Sequence, residues 1–161
     1  MVSWRELREA RPDLAEGGRS LLYQVGVGLA FLGTVATDGR PRVNPMCPLL
    51  TDDDMYAWIV AGPKRGDLLR DGRYTLHSFP CDDNEDAFSC GGRATLLDDD
   101  ATKERMTQQF VDERKPIGLT ADALTGQLLF QLDIERCLLT RTTGHGDPSP
   151  DHTIWTIRSR T

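Results

Sequence analysis

The 161-residue chain is predicted to form an antiparallel β-barrel with peripheral helices, and three observations support this fold class. Seven or eight short segments rich in β-forming residues follow one another, and most are joined by tight turns. The first strands lie too close together in sequence for the long crossovers that a parallel sheet requires. The sequence also lacks a G-x-G-x-x-G fingerprint after a strand and a Walker-type G-x-x-x-x-G-K loop, which excludes the two common nucleotide-binding folds.

Length and composition indicate one domain, taken as residues 1–161, with an ordinary globular character. Hydrophobic residues make up 39% of the chain and charged residues 27%. Nineteen basic residues against 25 acidic ones give a net charge of −6, which argues against a nucleic-acid or acidic-membrane binder. The longest apolar stretch, Val25–Val35, is too short and too rich in glycine to cross a bilayer. We therefore expect a cytoplasmic protein.

Residues 1–25 are predicted to form an N-terminal helical segment in two pieces. Ser3-Trp4-Arg5-Glu6 is a capping box, in which the Ser3 hydroxyl and the Glu6 carboxylate satisfy each other's backbone amides. Pro12 interrupts the first helix because its ring clashes with the preceding turn. A second helical piece then runs from Asp13 to about Tyr23.

Three strands joined by turns are predicted next. Leu29–Thr37 is a nearly continuous apolar run, and the Asp38-Gly39 pair after it is a strong hairpin signal. Arg42–Leu50 contains two prolines, so this strand must be an edge, bent, or bulged where something approaches its backbone. Met55–Val60 is rich in β-forming residues and follows another turn.

The rest of the chain alternates shorter helices and strands. In chain order we predict a short helix at Lys64–Arg70, strands at Tyr74–Phe79 and Phe88–Leu97, a helix capped by Asp98–Asp100 and running to about Arg114, and strands at Leu128–Ile134, Arg136–Thr143 and His152–Arg158.

The four cysteines show no spacing typical of a metal site or a disulfide framework. There is no C-x-x-C pair, and the three histidines lie on separate segments, so no metal is expected. We interpret the cysteines as small buried or half-buried residues. They are Cys47, Cys81, Cys90 and Cys137.

Two cations stand at the predicted start of a helix, where the macrodipole disfavours positive charge. Lys64 and Arg65 follow Gly62-Pro63. A bound anion, held by the cations and the free amides of the first turn, would explain them, and a solvated basic turn is the alternative. Arg40 and Arg42 are explained as exposed arginines on an edge strand. Aromatic strand residues and His77 are expected in the core.

The stretch Leu32–Phe79 resembles the pyridoxamine 5′-phosphate oxidase-like, FMN-binding split-barrel family. The matching pieces are L-G-T-V-A-T-D-G-R-P-R-V-N-P at Leu32–Pro45, the strand M-Y-A-W-I-V, and K-x-x-D-L-x-R-D-G-R-Y at Lys64–Tyr74. Asp67 replaces the family's usual Asn, and Gly72 its usual Pro. Weaker similarity extends the match to roughly residues 20–158. The fold it implies is mainly β (α+β), an antiparallel split β-barrel with peripheral helices.

The resemblance also implies a homodimer with one FMN in each of two grooves at the interface. Lys64 matches the cation that holds the cofactor phosphate, with Arg65 beside it and Arg42 on the neighbouring strand. Val43, Asn44 and Pro45 match the strand segment that runs along the isoalloxazine. Trp58, Ile59, Val60 and Ala61 match the strand that leads into the phosphate loop. Trp155 is expected near the flavin or the dimer groove.

We therefore expect an FMN-binding protein, and a flavin-dependent oxidoreductase that acts on an unidentified small molecule. No catalytic acid or base is named, since flavin itself carries the hydride chemistry. The C-terminal R-x-H-type substrate motif of true pyridoxamine phosphate oxidases is not reproduced around His145 and His152, which argues against that substrate. Two alternatives stay open: a deazaflavin-dependent reductase of the same fold, and a non-catalytic flavin or haem carrier or sensor.

Overall fold

An eight-stranded antiparallel sheet curls around a hydrophobic core, with four α-helices at its margins, in the computed structural model, which describes residues 1–157. The predicted α+β split barrel is confirmed. The helices are α1 (Trp4–Ala10), α2 (Pro12–Leu22), α3 (Pro63–Arg70) and α4 (Asp100–Arg114), and the strands are β1 (Ala30–Val35), β2 (Pro41–Met46), β3 (Pro48–Leu50), β4 (Met55–Ile59), β5 (Arg73–Ser78), β6 (Ala87–Leu96), β7 (Leu128–Arg141) and β8 (Asp151–Thr156).

The proline-bearing strand is bent, as the sequence predicts, and it joins the two edges of the sheet. The strand order is β2-β1-β5-β6-β7-β4-β3, so β2 and β3 lie at opposite ends although only Cys47 separates them in the chain. The sheet must therefore curl until its edges meet at this segment. Proline is tolerated here because edge strands leave one row of amides unpaired.

The N-terminal helices cover the core face of the sheet. The capping box of α1 is present, with the Ser3 amide donating to Glu6 Oε2 at 2.7 Å and the Glu6 amide donating to Ser3 Oγ at 3.2 Å. Proline at position 12 begins α2, and the two helices bury Trp4, Leu7 and Leu14 in the main hydrophobic cluster. A second cluster forms where α4 packs Met106 and Phe110 against the outside of β4 and β7.

One prediction about the strands is wrong: the segments Leu128–Ile134 and Arg136–Thr143 form a single strand, β7. Its backbone continues through Glu135, which has no partner in β6, because the register shifts between Gly91 and Gly92. This bulge absorbs the extra residue that the sequence suggested as a boundary. The final strand was predicted to reach Arg158; β8 ends at Thr156, and Arg158 lies outside the described residues.

The other sequence expectations concern cysteines and membranes. All four cysteines are free, with Cys90 and Cys137 buried and the other two half-buried, as predicted. Within residues 1–157, no helix combines the length and the apolar character needed to cross a bilayer.

Strand registers define two faces of the sheet. On the core face, one row of paired residues crosses six strands: Asn44, Leu32, Leu76, Cys90, Cys137 and Trp155. The opposite side, called the outer face below, carries two parallel rows, because successive side chains of a strand point to opposite faces. They are Val43, Gly33, Thr75, Gly91, Arg136 and Thr156, and then Pro45, Phe31, His77, Ser89, Leu138 and Ile154.

We predict that Gly92→Ala destabilises the fold by about 1–3 kcal/mol or more, because the added methyl group cannot be accommodated at the bulge. Its Cβ would lie 2.0 Å from the backbone oxygen of Asp133, and a backbone atom in a sheet cannot move aside cheaply. Urea denaturation measures the change. The matched control is Gly66→Ala in α3, where no atom lies within 4 Å of the added Cβ. There, an unchanged or slightly raised stability is expected. Equal effects of the two substitutions would contradict the prediction.

Candidate functional site

The helix α3 packs against β1 and β6, and two side-chain contacts connect it to β2. Lys64 Nζ donates to the backbone oxygen of Pro45 at 3.2 Å. One turn further along α3, Asp67 Oδ2 accepts from Arg42 Nε at 2.9 Å. The sequence-predicted cations Lys64 and Arg42 therefore lie at opposite ends of one short strand–helix contact.

The start of α3 carries positive charge that no carboxylate compensates. Gly62 precedes the helix without a side-chain cap, Pro63 stands in its first turn, and that turn contains no acidic residue. Arg65 Nη1 donates to the backbone oxygen of Gly126 at 2.8 Å. Neither Lys64 nor Arg65 forms an ion pair with any of residues 1–157. The helix start thus combines two cations that lack a carboxylate partner with the positive end of the helix macrodipole, which favours an anion.

Asp67 is a buried carboxylate that organises the surrounding side chains. It accepts hydrogen bonds from Thr34 Oγ1 at 2.9 Å, Arg42 Nε at 2.9 Å and Arg70 Nη1 at 3.3 Å. Burial raises the pKa of Asp67, but the hydrogen bonds from Arg42, Thr34 and Arg70 outweigh it and hold the pKa below its usual value. The carboxylate therefore stays charged and keeps the Arg42 guanidinium in place. Sequence analysis noted Asp67 only as a departure from the family pattern.

Two sequence-predicted residues carry buried nitrogen atoms without a hydrogen-bond partner. Among the described residues, Asn44 Nδ2 and Trp58 Nε1 are the buried side-chain nitrogen and oxygen atoms in this state. Asn44 shares its side of β2 with Arg42, next to the start of α3. Trp58 faces the other way, against the cluster around α4. The two nitrogen atoms therefore lie in different parts of the structure, and only the Asn44 amide lies beside the α3 cations.

Ile59 is the last residue of β4, and Val60, Ala61 and Gly62 connect it to α3. Ile59 is buried in the main cluster, whereas Val60 and Ala61 are exposed. The backbone of this segment thus runs from the core to the cationic helix start. The role of this segment as a loop leading into a phosphate site stays a prediction from the sequence resemblance.

Trp155 lies apart from these residues within one protomer. It pairs with Cys137 on the core face, is half-buried, and packs against the main hydrophobic cluster. Asn44 occupies the other end of the same row, five strands away in the pairing order of the sheet. Trp155 forms no hydrogen bond with Lys64 in the described structure, and its place beside a flavin stays a prediction.

The outer face holds a largely apolar pocket of about 350 Å³ that sequence analysis did not identify. Its lining includes Phe31, Gly33, Val43 and His77. The expectation that His77 is a core residue is wrong, because its side chain is exposed on this face. The alternation of Phe31, Gly33 and Val35 along β1 is the signal that could have placed this pocket on one side of the sheet.

Within residues 1–157, no group of three or more His, Cys, Asp or Glu residues is placed to hold a metal ion. The site consists instead of cations, backbone groups and one buried carboxylate. Such a donor set suits an anionic group on an organic molecule.

Comparisons with known proteins identify the fold. No protein-family model matches the chain, and no curated protein matches it. Among solved structures, general stress protein 26 from Bacillus anthracis is 16% identical with a TM-score of 0.61, over 88% of this chain and 97% of that one. A related protein of the pyridoxinephosphate oxidase family from Clostridium acetobutylicum is 15% identical with a TM-score of 0.63, over 89% and 94%.

A haem-binding protein from Mycobacterium smegmatis has the same fold. It is 17% identical with a TM-score of 0.60, and the match covers 89% of this chain but 58% of that protein. The chain therefore spans little more than half of that relative's length. Together the three structures show that the chain has the split-barrel fold of the pyridoxamine 5′-phosphate oxidase-like proteins.

We predict that Asp67→Asn lowers the free energy of unfolding by about 1–3 kcal/mol near neutral pH, because it weakens charge-assisted hydrogen bonds at a buried position. The pKa of Asp67 is lowered in the folded state, so the stabilisation is present above the ordinary aspartate pKa of about 3.9. It is lost as the pH falls through the folded-state pKa. Urea denaturation of both proteins across this range measures the difference, which should shrink in acid.

The control for this prediction is Asp53→Asn, which removes an exposed carboxylate paired with Arg5. A clearly smaller change is expected, since exposed ion pairs contribute little. A difference between wild type and Asp67→Asn that stays constant down to strongly acidic pH would show that the carboxylate charge is not what stabilises the contact.

Proposed function

We propose that the chain binds FMN, with the phosphate at the start of α3, and acts as a flavin-dependent oxidoreductase on a small molecule. The observation that carries this proposal is the pair of cations, Lys64 and Arg65, whose side chains contact backbone carbonyl oxygens and no carboxylate. An FMN phosphate carries about two negative charges near neutral pH, as other phosphate monoesters do. It would supply the missing counter-charge.

Neighbouring side chains suit the same ligand. Arg42 is held through Nε by Asp67, which leaves its two terminal nitrogens able to donate to an anion. The Asn44 amide adds a buried donor that lacks an acceptor within residues 1–157. Lys64 is oriented by the Pro45 carbonyl, so its remaining protons can point away from β2. These groups would hold the phosphate and the polar edge of the cofactor.

The protein's part in the chemistry is to position and shield the cofactor. Val43 and Pro45 present an exposed apolar edge on β2 against which a flat ring can pack. Bound FMN would supply hydride transfer to or from a substrate. We extend the proposal to a cytoplasmic location, because four free cysteines suit a reducing compartment.

We also propose that the chain forms a homodimer through the outer face. Val43 on β2 and Ile154 on β8 stand at opposite sides of this face and are 67% and 64% exposed. Large apolar side chains of this exposure on one sheet face are typical of an interaction surface. A second copy related by a two-fold axis would cover both and provide a second wall for the groove beside β2.

We predict that Lys64→Ala weakens FMN binding about ten- to a hundredfold, because a hydrogen bond to a charged group contributes roughly 1.5–3 kcal/mol. Riboflavin has the same ring and lacks the phosphate, so its affinity should not change. Calorimetric titration of both ligands into wild type and variant measures the two effects separately.

Lys103→Ala is the matched control for this substitution. Lys103 also lies in the first turn of a helix, α4, but its ammonium pairs with Asp98 at 2.5 Å, so FMN affinity should be unchanged. Equal losses of FMN and riboflavin affinity at Lys64 would contradict the phosphate assignment. A visible spectrum of the purified protein dominated by a haem or deazaflavin band would contradict FMN itself.

We predict that Ile154→Glu converts the protein from dimer to monomer, because it places a charge on the apolar surface that the second copy would bury. Sedimentation velocity over a concentration series measures the change, and Glu104→Gln on exposed α4 serves as the control. A wild-type protein that sediments as a monomer while it binds FMN stoichiometrically would refute the dimer.

A further inference from the structure

Gly33 forms the floor of the pocket on the outer face and has no side chain to fill it. Gly33 lies in the middle of β1 between Val43 on β2 and Thr75 on β5, and all three line the pocket. A Cβ at Gly33 would meet Thr75 O at 3.5 Å and Thr75 Cβ at 3.7 Å, which are ordinary contacts. Its φ angle is not in the left-handed region. The backbone therefore does not require glycine at this position.

Glycine inside a strand lowers the stability of the fold, so the presence of Gly33 in β1 needs another explanation. The cost relative to alanine is about 0.5–1 kcal/mol. Glycine in a strand often marks a place where a ligand approaches the backbone closely. Here the missing side chain lets a flat molecule lie directly on the β1 backbone, between Phe31 and Val43.

His77 gives the pocket one defined hydrogen-bond acceptor. Its Nδ1 atom lies 2.7 Å from the backbone oxygen of Ser78. A carbonyl oxygen can only accept, so Nδ1 carries the hydrogen and donates it. In the neutral ring, Nε2 is then a bare acceptor, and it has no hydrogen-bond partner among residues 1–157. A ligand that satisfies it must bring an N–H or O–H group.

Each of the two arginines at the pocket contacts a carboxylate. Arg42 is paired with Asp67 at 2.9 Å, and Arg73 is paired with Asp71 at 2.6 Å. Each pairing reduces the attraction that the arginine offers to an anionic ligand inside the pocket. The lining is otherwise apolar, with Phe31, Val35 and Val43 among its members. The pocket therefore suits an uncharged ring.

We infer that this pocket binds an uncharged, flat aromatic ring that donates a hydrogen bond from a ring N–H or a phenolic O–H to His77 Nε2. The binding itself follows from Gly33, His77 and the apolar lining. Its description as the substrate class of the enzyme rests on the proposed function. His77 is then a specificity-determining residue that selects ring compounds with a donor hydrogen.

Two probes of equal shape test the inference on the purified chain without added FMN. Indole carries a ring N–H, and benzofuran has an oxygen atom in its place. Calorimetry is expected to give indole an affinity about two- to tenfold higher than that of benzofuran, the ratio that corresponds to one hydrogen bond. His77→Phe should remove this preference, and His77→Gln, which retains an acceptor oxygen, should restore part of it.

Gly33→Leu should abolish the binding of both probes, because the new side chain fills the pocket floor. Thr156→Leu is the matched control: it adds the same side chain to the same row of the outer face, four strands away, and should leave indole binding unchanged. Circular dichroism melting curves establish that each variant is folded. If Gly33→Leu does not fold, the comparison between His77→Phe and His77→Gln decides the inference.

Failure of indole to bind the wild type overturns the inference, and so does equal affinity for indole and benzofuran. A pocket occupied by a side chain of a second copy would give no indole binding, together with a change in self-association for Gly33→Leu, and that result also overturns it. FMN titration of the wild type separates this outcome from the proposed function. A wild type that binds FMN but not indole refutes only the ring pocket, whereas a wild type that binds indole but not FMN refutes only the cofactor.

Discussion

The continuous segment from β2 to β3 is the constraint on which the rest of the structure depends. It supplies hydrogen bonds to β1 on one edge of the sheet and to β4 on the other, with one residue, Cys47, between the two sets. This requirement forces the sheet to curl. Because α3 begins soon after β4 ends, the same curl brings the start of α3 onto β2. The cationic site is thus a consequence of barrel closure.

A single buried carboxylate determines how the positive charge of this region is distributed. Asp67 contacts both Arg42 and Arg70, and it is the acid that these arginines share. One negative charge therefore serves two guanidinium groups, and the ammonium of Lys64 remains outside the pairing. A chain with a net charge of −6 in this way keeps a local excess of positive charge at one helix start. Such a local excess, rather than the total charge, decides which ligands approach.

Local signals in the sequence predicted much of the fold. The capping box at Ser3, the break at Pro12 and the bent strand with Pro45 are all present, because each depends on a few neighbouring residues. The cations Lys64 and Arg65 could be singled out for the same reason, since a helix start disfavours positive charge wherever it occurs.

Features that depend on contacts distant in sequence could not be predicted. The continuity of β7 through Glu135 depends on a register shift in β6, more than 40 residues earlier. The role of Asp67 follows from contacts with β1 and β2, and no pattern within α3 reveals them. The exposure of His77 and the core packing of Trp155 depend on which face of each strand meets the helices. In both strands, successive side chains point to opposite faces of the sheet, and this alternation alone does not show which face is buried.

The middle of β7 is where the two ends of the described chain meet. β4 covers the first part of this strand and β8 the last, and the gap between them is closed by Val2, whose amide and carbonyl both bond to Ile134 at 2.8 Å. The amide of Ile157 bonds to Glu135 beside it, also at 2.8 Å. A ribosome delivers the piece around Val2 well before the piece around Ile157, because most of the described chain lies between them. These hydrogen bonds to the middle of β7 can therefore be completed only after β8 has emerged from the ribosome. Until then, part of β7 is unpaired and must be kept from pairing with other chains.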